Sequence, residues 1–463
     1  MSLINLGTVT NRATASDSVG FFDPIDVINF NIATGGRLNL SLTGLSADAD
    51  VQLFRGSSLI ASSARGGTTP DSINLSGAEV TPGDYTVRVS QGNFLANTNY
   101  NFGLSINNPS EFLAEEANLG SLSSTPITQT GFVGNTDTSD IYRFSLASPS
   151  DINLSLTGLS ADADVRIIRD ANSNGIVDAD DEIIRSALGG TTSESINLNN
   201  QAAGTYFAQV YQFNGESNYT LRLSNTQPSN LIVSEANLGN LGATPITQTG
   251  AVGDNDTSDI YQFSLASASD INLSLTGLSN DADVRIIRDA NGNGIVDAGD
   301  ELLSSTFGGT TSESINLNNQ AVGTYFAQVY QYSGESNYTL RLSNTQPSNL
   351  IVAEDNFGTL GSTSSSRTGF VGNNDTSDIY QFSLSSARTL SASLSGLSAD
   401  ADLRIIRDAN SNGIADAGDE IIRSAFGGNT SESITQFLAA GDYFAQVYQF
   451  GGETSYNLGL SAV

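Results

Sequence analysis

The stretch Tyr206-Phe-Ala-Gln-Val-Tyr-Gln-Phe213 decides the fold, because its residues alternate between two chemical sets. Successive side chains of a strand point to opposite faces, so Tyr206, Ala208 and Val210 share one face and Phe207, Gln209, Tyr211 and Phe213 the other. The first set is read as core. The second turns aromatic residues outward, and two readings of it are open: a contact surface for a partner, or a face covered by a linker or a neighbouring loop. The pattern returns with Phe326, Tyr330 and Tyr332 and with Phe444, Tyr448 and Phe450, whereas near the start of the chain Thr86, Arg88 and Ser90 stand there. Period-two alternation also marks Tyr142, Phe144 and Leu146, then Ile152, Leu154 and Leu156, then Ile196 and Leu198, then Tyr219, Leu221 and Leu223. Short alternating strands between clusters of Gly, Asn, Asp and Ser predict an all-β chain of antiparallel β-sandwiches. Ser234-Glu-Ala-Asn237 is the one candidate for a helical turn.

The strands belong to a repeat. Asp137-Thr-Ser-Asp-Ile-Tyr142 returns at Asp256 and at Asp375, each 119 residues further on. A divergent copy opens the chain, its Asp26 matching Asp140 and its Leu45-Ser-Ala-Asp-Ala-Asp50 matching the segment from Leu159 to Asp164. Units of ~115–120 residues have the size of independent domains. The predicted domains are 1–106, 111–224, 230–343 and 349–463. Their joints are Asn107-Asn-Pro-Ser110, Asn225-Thr-Gln-Pro-Ser229 and Asn344-Thr-Gln-Pro-Ser348.

Repeats two to four also carry the phrase Asp170-Ala-Asn-Ser-Asn-Gly-Ile-Val-Asp-Ala-Asp-Asp-Glu182, again at Asp289 to Glu301 and at Asp408 to Glu420. Oxygen-bearing side chains at positions 1, 3, 5, 9 and 12 with glycine at 6 suit a hard cation with six to eight oxygen ligands. Calcium is the expected occupant. Magnesium prefers a tighter octahedron, and imidazole and thiolate are lacking for softer metals. The predicted ligands are Asp170, Asn172, Asn174, the Ile176 carbonyl, Asp178 and Asp181, with Glu182 as a bidentate or outer group. Their equivalents are Asp289, Asn291, Asn293, Ile295, Asp297, Asp300 and Glu301, then Asp408, Asn410, Asn412, Ile414, Asp416, Asp419 and Glu420. The loop resembles those of dockerins and thrombospondin type 3 repeats, inserted here between two strands. Copy one has only Phe54-Arg-Gly-Ser-Ser-Leu59, a short hairpin turn. Asp162 and Asp164, with Asp48 and Asp50 in copy one, and likewise Asp137 and Asp140, read either as caps of strand and turn amides or as further cation positions.

Composition narrows the chemistry. Cysteine, histidine, tryptophan and lysine are absent, and the 18 basic residues are all arginine against 49 acidic ones. No base is at hand for a serine or cysteine nucleophile, no lysine for a Schiff base, and the usual zinc ligands are missing. Only a paired-carboxylate chemistry of the glycosidase kind survives, so a non-enzymatic role is expected. A net charge of −31 speaks against nucleic acid and anionic membrane surfaces as partners, and favours divalent cations as counter-ions. No run approaches the ~20 apolar residues of a membrane span. The first residues, Met1-Ser-Leu-Ile-Asn-Leu-Gly7, show no secretory leader, so a mature chain or a leaderless export route is expected. Calcium loops of modest charge fill where calcium is abundant, which points outside the cell or to its surface.

The order Asn118 to Gly120, Gly131 to Gly134, Asp137 to Phe144, Asp162 to Val165, Gly204 to Val210 and Tyr219 to Leu221 resembles the bacterial pre-peptidase C-terminal domain, in four copies over nearly the whole chain. The resemblance implies a jelly-roll-like sandwich. Members of that family often trail secreted proteases, and related collagenase modules bind matrix and calcium. The reading that follows is a calcium-binding structural protein that pairs with itself, head to tail or laterally, in a fibre, surface layer or matrix. The alternatives are an adhesion module for polysaccharide or cell-surface matrix, and an accessory region of a secreted hydrolase.

Overall fold

The computed structural model describes residues 1–93 and 96–463. The chain forms two compact units, Met1–Val233 and Ser234–Val463, and each holds two repeats of two sheets. In repeat two the strands Ala117–Ser121, Ser139–Leu146, Gly204–Asn214, Asp162–Ile168 and Glu182–Ser186 lie in that order in a five-stranded sheet. Ile127–Val133, Ser217–Ser224, Ser150–Thr157 and Glu194–Gln201 make the facing four-stranded sheet. The other repeats keep this order. The sandwiches are antiparallel as expected, with one exception in each repeat: in repeat two Ala117–Ser121 runs parallel to Ser139–Leu146, and the first strand of the other repeats does the same. Parallel neighbours need a crossover, and the chain supplies it by visiting the second sheet at Ile127–Val133 in between.

The period-two sets meet between the sheets. Tyr142, Phe144, Leu154, Val165, Tyr206, Val210, Tyr219 and Leu221 belong to one buried cluster. Within it the rings of Phe144 and Tyr206 stack at 5.7 Å, as do Phe263 and Tyr325 and Phe382 and Tyr443. Such pairs add about 0.5–1.5 kcal/mol to the area they bury. The segment from Ser234 to Asn237 bends directly into the strand Ala236–Asn240 and makes no helical turn.

The outward aromatic face is mostly covered. Phe207 packs with Leu113, Ile141, Ile168 and Val177, so the linker and the loop after Asp170 both lie on it. Tyr211, Tyr330 and Tyr448 are only 3%, 8% and 3% exposed. Phe213, Tyr332 and Phe450, at the strand ends, stay open to solvent.

In the first unit the linker is held from both sides. Asn39 Nδ2 donates to Asn107 O at 2.6 Å. Phe112, 3% exposed, packs its ring against Gly103 of repeat one, where an added Cβ would stand 2.4 Å from a ring carbon. From repeat two, buried Arg166 donates to Ser110 O at 2.9 Å, to Gln209 Oε1 at 2.6 Å and to Glu182 Oε2 at 2.8 Å. The close approach at Gly103 leads to a prediction. Gly103→Val displaces Phe112, lowers the stability of the chain by about 1–3 kcal/mol in urea unfolding, and speeds proteolysis between Asn107 and Glu111. Unchanged stability and cleavage would show that the Phe112 seat is dispensable.

Candidate metal centres

Two arrangements of oxygen donors recur. The first is a carboxylate triad with one buried member. Glu116 ends the linker, its N–H donating to Ile141 O at 2.7 Å. Asp137 closes a tight turn with Gly134 through paired main-chain bonds of 2.7 and 3.1 Å, and Asp140 lies in the next strand. One carboxylate oxygen of each lies within 4.8 Å of the other two, and Glu235, Asp256 and Asp259, then Glu354, Asp375 and Asp378, repeat the arrangement. Asp140, Asp259 and Asp378 are each 4% exposed. The Tyr219 hydroxyl donates to Asp140 Oδ2 and lies 2.7 Å from the Tyr142 hydroxyl. The pairs Tyr338 with Asp259 and Tyr456 with Asp378 match it. In copy one the corresponding residues are Ser2, Asp23 and Asp26, with Tyr100 donating to Asp26 at 2.8 Å.

Burial and mutual repulsion drive these carboxyls upward. Desolvation first, then the neighbouring carboxylates, push Glu116, Asp137 and Asp140 each to about 7. Glu354 goes to about 9 and Asp375 to about 7 for the same reasons. Three crowded oxygen donors that resist ionisation lack positive charge, and a divalent cation supplies it while accepting oxygen ligands. The residues fit a hard metal ion.

The second arrangement is the inserted loop, which replaces the Gly56 turn of copy one. There Phe54 pairs directly with Leu59, whereas in repeat two Ile168 pairs with Glu182 and the loop leaves between them. Asp170 accepts from Asn174 N at 3.2 Å and Gly175 N at 2.8 Å, and Gly175 takes φ 73°, the left-handed turn expected of position 6. The amides of Asn172 and Asn174 converge on Asp178 Oδ2 at 3.0 and 2.9 Å. Asp181 Oδ2 accepts from Asp178 N at 2.9 Å and so closes the ring. Asp289, Asn291, Asn293, Asp297 and Asp300 form the same ring, as do Asp408, Asn410, Asn412, Asp416 and Asp419. Ile176 and Ile414 bridge to Phe112 and Leu350 of the linkers, and the Ile295 N–H donates to Asn293 Oδ1 at 2.8 Å. Glu182 stands apart from the ring. Arg185 holds both of its oxygens at 2.6 and 2.9 Å, in addition to Arg166. Glu420 is held likewise by Arg404 and Arg423, and Glu301 by Arg285.

Asp137 and Asp140 are thus brought together with a residue that sequence reading did not single out, Glu116. Its signal was available: glutamate stands at 116, 235 and 354 with constant spacing, and serine at the matching place in copy one. Asp164 faces Asp162 and Tyr211 at another edge, where desolvation and then Asp162 raise it to about 6.

Sandwich topology and four repeats define a tandem of β-sandwich modules. The model of the bacterial pre-peptidase C-terminal domain matches residues 24–91, 138–212, 257–331 and 376–449. The chain belongs to that family, whose members are accessory domains found in secreted proteins. Among solved structures, it is similar to the pre-peptidase C-terminal domain of a collagenase from Bacillus anthracis, with 18% identity over 22% of this chain and 95% of that one, TM-score 0.19. It is also similar to a periplasmic inhibitor of g-type lysozyme from Aeromonas hydrophila, with 22% identity over 24% of this chain and 99% of that one, TM-score 0.18. No curated protein matches. Among the described residues, no helix is long and apolar enough to cross a membrane.

The triads make stability depend on pH. A carboxyl raised above its unfolded value of 3.8 or 4.5 to between about 6 and about 9 holds its proton more tightly when folded. Its contribution is complete below pH ~4 and is lost as pH climbs through the folded value. In chelator, the urea midpoint should therefore fall between pH 5 and pH 8. Glu354→Gln with Asp378→Asn should flatten that fall. A midpoint that rises over this interval would contradict the raised triad carboxyls.

Proposed function

We propose that the chain is a non-enzymatic, calcium-stabilised structural protein of the cell exterior or surface. It pairs with further copies of itself, head to tail or laterally, in a fibre, layer or matrix, with the predicted domains 1–106, 111–224, 230–343 and 349–463 as its beads. The observation that carries the calcium part is where the donors lie. In the first unit, Leu113 N bonds Gly175 O at 3.0 Å and Val177 N bonds Glu111 O at 2.7 Å, while Arg12 of repeat one approaches Asp178 at 3.7 Å. The linker then ends at Glu116 of the triad. In the second unit, Ile351 N bonds Gly413 O at 2.9 Å and Ala415 N bonds Asn349 O at 2.8 Å. An ion in the dockerin-like ring would take the place of the two amide donors that converge on Asp178, and so fix loop, linker and preceding repeat together. Self-association draws on the repetition itself and on the charge of −31, which divalent ions would offset between chains.

Asp170→Ala, Asp289→Ala and Asp408→Ala combined should lower the melting temperature more in millimolar calcium than in chelator, where only the loop's own hydrogen bonds are lost. At ~0.1–1 mM affinity each loop contributes about 0.4–1.4 kcal/mol in 1 mM calcium. A triple variant that melts like the parent in calcium would remove the loops from this reading. Sedimentation velocity with calcium and with chelator tests self-association: large species are expected in calcium, and a monomer in both would exclude it.

A second reading is favoured by one observation. Phe213, Tyr332 and Phe450 are 61%, 67% and 67% exposed at the same place in three repeats, as aromatic platforms for sugar rings or matrix would be. Serine at all three positions should then abolish retention on a polysaccharide or matrix column.

A further inference from the structure

The joint inside each unit is built in the same way. The strand Asp71–Ser76 lies at the edge of the four-stranded sheet of repeat one, and a turn of repeat two takes up its outer main-chain groups. Ser76 N donates to Asn135 O at 2.8 Å, and Thr138 N donates to Asn74 O at 3.1 Å. The side chains beside the first bond meet as well, Ser76 Oγ donating to Asn135 Oδ1 at 3.0 Å. In the second unit Asn318 N donates to Asn373 O at 2.8 Å and Thr376 N to Asn316 O at 3.1 Å, while Asn318 Nδ2 donates to Asn373 Oδ1 at 2.7 Å. Pairing of this kind covers a strand edge, which is otherwise a template for another chain.

Both halves of this seat recur with altered chemistry. In repeat four the edge strand is Glu432–Leu438, where Thr435 takes the place of Asn74 and Asn316, and Phe437 that of Ser76 and Asn318. Asn74 and Asn316 are 5% and 8% exposed, whereas Thr435 lies open to solvent and Phe437 is 66% exposed. In repeat one the turn is Gly20-Phe-Phe-Asp23, closed by the same bridge as the turns at Gly134 and Gly372, so Phe21 takes the place of Asn135 and Asn373. Phe21 and Phe22 are 53% and 95% exposed, with their rings edge to face at 5.1 Å. The two positions whose side chains meet in a joint are thus both polar where the seat is filled within a unit, and both phenylalanine where its halves face solvent.

We propose that the Glu432–Leu438 edge of one copy seats on the Phe21-Phe22 turn of a second copy, a head-to-tail contact in which aromatic rings replace the polar pairs of the joints. This rests on the reading of the chain as self-associating, and names the faces that meet. The occupant follows from the joints: what fits this edge is the turn between the second and third strands of a repeat, and repeat one carries that turn. Pro24 stands at the position of Thr138 and has no N–H. The contact between copies therefore keeps one main-chain bond, from Phe437 N to Phe21 O, and burial of the phenylalanine rings takes the place of the other. The exchange also discriminates. Phe437 set against Asn135 or Asn373 would leave an amide unpaired, so this edge disfavours the turns that serve the joints. Because the two faces differ, one copy offers both halves, and copies add in a row or close a ring.

Sedimentation velocity of the full chain in millimolar calcium tests the contact with two variants. Phe437→Glu disables the edge, and Phe21→Glu with Phe22→Glu disables the turn; all three positions are exposed, and an unchanged melting temperature verifies the fold. The parent should form species larger than a dimer, and each variant alone should be a monomer, since each lost phenylalanine weakens association about 10- to 100-fold. An equimolar mixture of the two, in which one intact edge meets one intact turn, should form a 1:1 dimer and nothing larger. Either variant alone associating like the parent, or a mixture that stays monomeric while the parent associates, would overturn this pairing of faces and leave self-association in another geometry standing. A parent that is monomeric at every concentration would overturn both.

Discussion

The buried guanidinium of Arg166 is the contact on which the arrangement around the joint inside the first unit depends. One planar group ties three pieces that are far apart in sequence: Ser110 O of the linker, Gln209 of a central strand and Glu182 at the exit of the loop. Arg404 repeats this with Ser348 O, Gln446 and Glu420. A guanidinium this deep survives only where its donors are matched, and the fork geometry matches them. Copy one has no inserted loop and places Gln52 there. Its Arg88, at the position of Gln209, lies over the Phe54 ring at 4.6 Å instead.

Much of this was legible because strand periodicity and repetition are local signals. The inward sets from Tyr142 to Leu223 follow from period two alone, and the loop from its oxygen spacing. Tyr211 was not legible as a buried residue. Alternation assigns it to the outer face, but whether that face is wet depends on a linker and on Arg166 and Arg185, which come from other strands. Glu182 looked like a ligand for the same reason: spacing places it beside the ring, while two arginines claim it. Glu116 was hidden because it joins Asp137 and Asp140 through the parallel edge strand, a pairing without local signature.

The two donor sets differ in the state in which they await a cation. Asp178 is half-exposed, and the Asn172 and Asn174 amides, then Arg12, hold its carboxyl below the usual range, so that side chain is ionised at physiological pH. Desolvation, and in most of them repulsion between the carboxylates, raises the triad groups to between about 6 and about 9. A metal ion entering a loop would displace hydrogen bonds, whereas one entering a triad would displace protons and gain affinity as pH rises. One chain thus carries a hydrogen-bonded donor set on the linker's flank and a proton-holding one at its end. The first covers Phe207 and the linker, and the second anchors the edge strand of the sandwich. Rising pH would loosen an empty triad and favour its filling by a cation.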